Sequence, residues 1–132
     1  MNASVIIMLP FLSTHDAMSQ DVLEQQKTFI ENGIRCSLYA QFSDASCKDL
    51  ILNYSDLKNR LEREDSVTII YHHGVFWQQG EEILKKFPKP TILRYHSITP
   101  ENFYKPYDHA SYVACAEGRK QTLRLLRLPH IY

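Results

Sequence analysis

Apolar runs of strand length alternate with helical patterns along the whole chain. Residues 4–9 (SVIIML) are continuously apolar, which is typical of a strand that is covered on both faces of a parallel sheet. Further strands are predicted at 34–40, 67–71 and 92–95, and helices at 19–33, 49–63, 78–87 and 109–127. This alternation predicts an α/β domain with a mostly parallel sheet flanked by helices, Rossmann-like in class.

Several residues predict where these elements begin and end. Pro10 should close the first strand, because proline cannot donate to a sheet ladder. Ser19 is the predicted N-cap of the first helix and Gly33 its C-terminal stop. The triplet Thr99-Pro100-Glu101 has the residue types of a helix start, with a cap, a proline and an acid in order.

Histidine follows three of the four predicted strands. His15 comes after the first, His72 and His73 after the third, and His96 after the fourth. The carboxyl ends of parallel strands share one edge, and open α/β sheets bind their ligands in the crevice at that edge. We therefore expect these imidazoles to converge there.

The histidine set is compatible with several kinds of chemistry. A metal site is the least favoured, because no carboxylate or thiol stands at ligand spacing beside the histidines. Ser13, Ser97 and Thr99 lack a nucleophile-elbow motif, which disfavours a serine triad. Recognition of a sugar or phosphate fits better, since imidazoles, hydroxyls and helix N-terminal amides bind both. A purely structural role for the histidines stays open.

Size and composition narrow the function classes. The 132 residues are one domain in length, and 15 basic residues balance 15 acidic ones, which gives no case for nucleic-acid binding. Neither GxGxxG nor GxxxxGK[ST] is present. The three cysteines have no metal-binding spacing, and an odd, scattered set indicates reduced thiols and a cytoplasmic protein.

Four segments together resemble the N-terminal half of family 4 glycosyltransferases. The first is HDAMSQDVLEQQKTFIENGIRCSLYA, in which Asp16, Ala17, Asp21 and Val22 match the "DA…xDV" segment of one subgroup. The segments IIYHHG and ILRYHSITPENFYKPYD are similar to its paired "YH" strand ends and its "YHNITP" element. Residues 117–121 (EGRKQ) are similar to its "GRxQL" segment.

The resemblance implies the GT-B architecture, in which two Rossmann-like domains face each other across a cleft. Residues 1–132 would be the single acceptor-side domain, and the C-terminal donor-binding domain would be absent, so the chain alone is expected to be inactive. The complete enzyme would transfer a sugar from a nucleotide-sugar, with retention and without a metal or other cofactor. Its acceptor would be a sugar or lipid-linked glycan of polysaccharide or glycolipid synthesis, which leaves open a peripheral contact with the inner face of the membrane.

The resemblance also assigns roles to individual residues. His96 would be catalytic, contacting the donor sugar across the cleft. Thr14, His15 and Asp16 would lie near the donor phosphates and the acceptor, although many relatives have glycine where this chain has His15. The remaining substrate-binding residues would be His72, His73 and Gly74 on the acceptor side, with Ser97 and Thr99 of the YHSITP element.

Two other readings stay open. The chain is alternatively a stand-alone α/β interaction or oligomerisation module without catalytic activity. A small hydrolase that uses His96 with Ser97 is disfavoured, because no orienting acid is identifiable. An isolated half of a GT-B fold would expose a cleft wall and a sheet edge, so we expect a homo-oligomer at high concentration.

Overall fold

Five parallel strands form one sheet in the computed structural model, which describes residues 3–132. Their spatial order is β3-β2-β1-β4-β5. The strands are β1 (Ser4–Leu12), β2 (Arg35–Ser43), β3 (Ile51–Leu52), β4 (Val67–His73) and β5 (Thr91–Tyr95). The predicted α/β class with a parallel sheet is confirmed, and β3 is a short strand that the sequence pattern did not reveal.

Helices cover both faces of this sheet. They are α1 (Ala17–Glu31), α2 (Tyr54–Arg63), α3 (Gln78–Lys86) and α4 (His109–Leu126), with short 3₁₀ turns at Ala45–Leu50 and Glu101–Phe103. Within residues 3–132, no helix is both long and apolar enough to cross a bilayer.

Strand β1 separates two apolar clusters. Because successive side chains of a strand point to opposite faces, Val5, Ile7 and Leu9 pack with α1, while Ile6 and Met8 pack with the other three helices. The α1 face is one layer, and the face covered by α2, α3 and α4 is the other. The continuous apolar run at residues 4–9 is therefore explained by burial on both sides.

Strand β1 runs through Pro10, contrary to the prediction that this proline closes it. Pairing with β4 ends at Met8, opposite Tyr71, whereas pairing with β2 resumes beyond the proline at Phe11, opposite Phe42. Pro10 itself has no register partner in either ladder. The strand therefore passes the proline at the cost of one ladder position and ends at Leu12.

The first helix begins earlier than predicted, and its cap is Asp16 rather than Ser19. The Asp16 carboxylate accepts a hydrogen bond from the Ser19 amide (2.7 Å) and another from the Ser19 hydroxyl (2.9 Å). Ser19 is fully buried inside the first turn. Gly33 follows the helix with φ 76°, so the predicted glycine stop is confirmed.

Two other predicted helices differ from the structure. Residues 49–63 divide into the end of a 3₁₀ turn, β3 and α2, and Asn53 caps α2 by accepting from the Asp56 amide (2.8 Å). The triplet Thr99-Pro100-Glu101 leads only into the 3₁₀ turn at Glu101–Phe103. The last helix begins at His109, as predicted, where the Asp108 side chain accepts from the Ser111 amide.

The last residues extend the sheet beyond β5. The Thr91 amide donates to the His130 carbonyl (2.9 Å), and the Tyr132 amide donates to the Thr91 carbonyl (2.7 Å). Thr91 and Ile131 form a parallel bridge. The edge of β5 that was expected to be open is therefore paired over its first residues.

The direction in which strands are added reverses between β1 and β4. From β1 the chain proceeds to β2 and β3 on one side, and then crosses to β4 and β5 on the other. A ligand crevice of an open α/β sheet lies at such a reversal, outside the carboxyl ends of the strands. Those ends carry the residues of the candidate site.

Candidate functional site

Five polar side chains meet on the α1 face at the carboxyl ends of β4 and β5. We call them the α1-face cluster: Asp21 and Gln25 of α1, His72 of β4, Arg94 of β5, and His96 just beyond β5. Arg94 stands opposite His72 in the ladder, so residue 96 follows on the same face. Asp21 and Gln25 lie one helical turn apart.

The two histidines of the cluster are in direct contact. His72 Nδ1 lies 2.7 Å from His96 Nε2, and the rings stack with centroids 4.9 Å apart. The other ring nitrogen of His72, Nε2, lies 2.7 Å from Gln25 Oε1. His72 is buried, whereas 26% of the His96 side chain is exposed.

The Gln25 contact assigns the protons of both rings. The amide oxygen Oε1 only accepts, so His72 Nε2 carries the hydrogen and His72 Nδ1 has the lone pair. His96 Nε2 must then donate to His72 Nδ1. Burial, followed by the charge of His96, lowers the pKa of His72 to about 4, against the opposing effect of Asp21. Burial also lowers the pKa of His96, which favours the neutral form of both rings.

Asp21 supplies the negative charge of the cluster. Its Oδ2 lies 3.8 Å from His72 Nδ1 and 3.9 Å from His96 Nε2, and it forms an ion pair with the Arg94 guanidinium. About a quarter of the Asp21 side chain is exposed. A carboxylate, a guanidinium and an imidazole therefore reach solvent together at this edge, above a buried second imidazole.

Gly74 allows the chain to pass closely beneath His96. A Cβ on this residue would lie 2.4 Å from Met18 Cε and 3.1 Å from His96 Cβ. Gly74 was predicted on the acceptor side of the site. Its place in the structure is beside the cluster, where a side chain would meet Met18 and His96.

His73 lies on the opposite face of the sheet from His72. Its Nε2 is 2.7 Å from the Thr122 hydroxyl of α4, and the side chain is fully buried. Burial lowers the pKa of His73. The predicted histidine set is therefore divided by the sheet, because neighbouring residues of a strand alternate in direction.

The loop after β1 holds the predicted residues Thr14, His15 and Asp16. The Thr14 amide donates to Asp44 Oδ2 (3.3 Å), and the Asp16 carboxylate is engaged in capping α1. His15 is exposed, and its ring contacts the Thr14 hydroxyl at 3.4 Å. Among the described residues, His15 makes no hydrogen bond to the other histidines, so the structure does not bring it into the cluster.

Ser97 and Thr99 flank a buried residue beyond β5. Ile98 is buried and its amide donates to the Tyr95 hydroxyl (3.1 Å). Ser97 is exposed and Thr99 is partly buried. Within residues 3–132 neither hydroxyl bonds to His96, whose Nε2 is directed at His72. The hydrolase reading therefore has no histidine–serine pair to support it.

Sequence reasoning missed Asp21, Gln25 and Arg94 as site residues. Asp21 entered only as a helix-dipole residue and as a match to the resembled motif. No carboxylate stands at ligand spacing beside the histidines in the sequence, but the fold brings Asp21 to His72 and His96 from a distant part of the chain. The available signal was the four-residue spacing of Asp21 and Gln25, which places both on one side of α1.

One groove lies away from this cluster, on the other face of the sheet. It has a volume of about 610 Å³ and runs between β5 and α4, with Tyr95, Arg119 and Leu123 among its lining residues. A smaller depression of about 240 Å³ adjoins the cluster along α1, lined in part by Asp21 and Gln25. The polar cluster therefore lies beside a shallow, open depression and outside the groove on the other face.

Comparison with protein-family models, with curated proteins and with solved structures finds no match for this chain. The likeness to glycosyltransferases therefore depends on the quoted motifs, and it stays a prediction.

Proposed function

We propose that this chain is the acceptor-side domain of a retaining, nucleotide-sugar-dependent glycosyltransferase of GT-B architecture. The complete enzyme would act in the cytoplasm on a sugar or lipid-linked glycan in polysaccharide or glycolipid synthesis. The observation that supports this most directly is the α1-face cluster. His96, the residue to which the resemblance gives the catalytic role, is partly exposed at the strand-end crevice and is held there by a buried histidine.

The atoms that His96 offers suit contact with a sugar. Its Nε2 hydrogen is donated to His72, and no hydrogen bond is described for its Nδ1 within residues 3–132. In this tautomer Nδ1 is an acceptor, so it can receive a hydrogen bond from a sugar hydroxyl. The neutral ring can do so without first losing a proton.

Asp21 and Arg94 offer opposite charges beside that ring. Retaining transfer passes through an oxocarbenium-like state while negative charge builds on the departing diphosphate. A carboxylate stabilises the former and a guanidinium the latter, and both side chains are partly exposed at this edge. The pair would thus complement the two charges that separate during transfer.

The buried part of the cluster would fix this arrangement in advance. Gln25 holds His72 at one nitrogen, and His72 holds His96 at the other. A positioned donor or acceptor is effective because it does not have to reorganise when charge develops. The donor nucleotide would be bound by a second domain, which these 132 residues do not include, so the chain alone is proposed to be inactive.

The test is transfer of labelled sugar by the complete two-domain enzyme that the proposal requires. His96→Ala should lower turnover by about 100-fold, the typical loss when one positioned polar group is removed. Thr122→Val is the matched control, because it removes the partner of His73 on the other face and should change turnover by less than about twofold. Wild-type turnover in His96→Ala would contradict the proposal.

A second candidate is an interaction module, favoured by exposed apolar residues on α4. Leu123 and Leu126 are 61% and 59% exposed beside the groove against β5. An apolar strip of this kind is a typical contact surface. Sedimentation of the wild type and of Leu123→Glu over a dilution series tests it. A concentration-dependent dimer that Leu123→Glu abolishes would favour the module, and a monomer throughout would count against it.

A further inference from the structure

We propose that Asp21, His72 and His96 form a binding site for a divalent transition metal of the Zn²⁺ class. This inference goes beyond the proposed sugar transfer, for which the resemblance implies no metal. It concerns binding alone, and it holds whether or not the chain is part of a transferase.

The geometry of the three potential ligand atoms is close to that of a metal site. His72 Nδ1, His96 Nε2 and Asp21 Oδ2 are separated by 2.7, 3.8 and 3.9 Å. Ligands at about 2.0–2.1 Å from a tetrahedral Zn²⁺ lie about 3.3 Å from one another. Each separation therefore has to change by only about 0.6 Å, which small side-chain rotations supply.

The chemistry of the ligand set also suits this class of metal. Two imidazoles and one carboxylate form a ligand set that Zn²⁺ accepts readily, and three protein ligands leave a fourth position for water. His72 has the outer contact typical of a metal-bound histidine, because its second nitrogen donates to Gln25 Oε1 at 2.7 Å. Gln25 thereby directs the His72 Nδ1 lone pair into the site.

Metal binding requires one change of tautomer. Without metal, the His96 Nε2 hydrogen lies between the two rings. The ring is partly exposed, so it can lose that proton to water and take one up at Nδ1. This leaves Nε2 with a lone pair for the metal, with no net gain or loss of protons or electrons.

Arg94 opposes the metal and makes the proposal easier to test. Its guanidinium pairs with the Asp21 carboxylate and is about half exposed, so it can turn towards solvent when a cation binds. Its positive charge should weaken binding, and removing that charge should tighten it. Variants of this one site should therefore change the metal affinity in opposite directions.

The experiment is a titration of the reduced chain with Co²⁺, followed by its visible absorption, and then with Zn²⁺ in competition with a chromophoric chelator. One ion should bind per chain. His96→Asn and Asp21→Asn should weaken binding by at least about tenfold, and Gln25→Leu should weaken it by about tenfold through the lost outer contact. Arg94→Gln should tighten it by about tenfold. His15→Asn, which removes an exposed histidine outside the site, should leave it unchanged.

Several results would overturn the site. They are a wild type that binds neither ion more tightly than about 100 μM, binding that survives both His96→Asn and Asp21→Asn, and a thiolate-to-cobalt charge-transfer band showing cysteine ligation. Circular dichroism confirms that each variant is folded. If His96→Asn does not fold, the opposite effects expected of Asp21→Asn and Arg94→Gln decide the question.

Discussion

His72 and His73 are neighbours in sequence, but they belong to two different environments. His72 faces α1 and bonds to a partly exposed histidine beside a carboxylate and a guanidinium. His73 faces α4, where it bonds to Thr122 and is sealed from solvent. Because adjacent residues of a strand face opposite sides of the sheet, His72 lies in a polar site that reaches solvent, whereas His73 is enclosed by protein.

The face that carries α4 has polar residues of its own, which we call the α4-face network: Trp77, Glu81, Lys85, Gln121 and Arg124. The Gln121 side chain accepts from the Trp77 amide (3.0 Å) and donates to the Trp77 carbonyl (2.8 Å) and to Glu81 (3.0 Å). Arg124 donates to both oxygens of Glu81, and Lys85 pairs with the same carboxylate.

The difference lies in what the polar groups of each set contact. In the α4-face network, Glu81 of α3 bonds to Gln121 and Arg124 of α4, and these bonds join the two helices, which is a structural task. In the α1-face cluster, His96 and Asp21 are partly exposed and have bonding capacity left for a ligand.

The largest difference should appear between two glycines, one on each side. A Cβ on Gly80 would lie 2.3 Å from Trp77 Cε3 and 2.7 Å from Tyr71 Cε2, both in buried rings, whereas a Cβ on Gly74 meets the flexible end of Met18. We expect Gly80→Ala to lower the free energy of unfolding by about 3 kcal/mol and Gly74→Ala by about 1 kcal/mol. Urea unfolding measures the free energy of unfolding of both variants. Equal losses would contradict the view that the α4 face is rigid and the α1 face more adaptable.

The α4-face network should lose stability only in strong acid. The Arg124 guanidinium, with smaller effects from other partners, lowers the pKa of Glu81 from 4.5 to about 2. The stabilisation from ionised Glu81 is therefore complete above pH 4.5 and is lost as the pH falls towards 2. Glu81→Gln should lower the free energy of unfolding at neutral pH by about 2 kcal/mol. That difference should shrink between pH 4.5 and 2; a constant difference would refute the prediction.

The α1-face cluster should lose stability at a higher pH. Burial, more than the charge of His96, lowers the pKa of His72 from 6.5 to about 4, so the unfolded chain binds a proton more readily. The stability that comes from neutral His72 is complete above pH 6.5 and is lost as the pH falls to about 4. Denaturation with chelator present should show this loss, about 1–2 kcal/mol, in the wild type and not in His72→Gln. The same loss of stability in both proteins would show that groups other than His72 cause it.

The smallest effect should come from the loss of the hydrogen bond between Thr122 and His73. Thr122→Val keeps the shape of the side chain and removes the hydroxyl that lies 2.7 Å from His73 Nε2. We expect a loss of about 1 kcal/mol in the free energy of unfolding. Neither metal binding nor sugar transfer should change. A Thr122→Val variant that impairs either one would show that the two faces are coupled.

Most of the fold was predictable because its signals are local. Continuous apolar runs mark β1 and β4, and Gly33 marks the end of α1. The meeting of His72 and His96 was also predictable, since parallel strands bring their carboxyl ends to one edge. The two-residue strand β3 was not, because a pair of residues has no periodicity to read.

The composition of the site was less predictable than its location. Asp21 and Gln25 reach the histidines because α1 packs on the same face of the sheet as His72 and His96. Their four-residue spacing puts them on one side of α1, but it does not show which residues they meet. The separation of His73 from His72 could have been read from strand alternation. The exclusion of His15 could not, because it depends on how the loop before Asp16 turns into α1.

The most direct test of the central claim, that the α1-face cluster contacts the ligand, is nuclear magnetic resonance of the chain with ¹⁵N-labelled histidine. Nucleotide-sugars and oligosaccharide acceptors are added in turn. The account predicts that the imidazole signals of His96 and His72 shift with at least one of these compounds, while those of His73 and His130 stay in place. Shifts confined to His73, or a His96 signal unmoved by every compound that binds the chain, would contradict it.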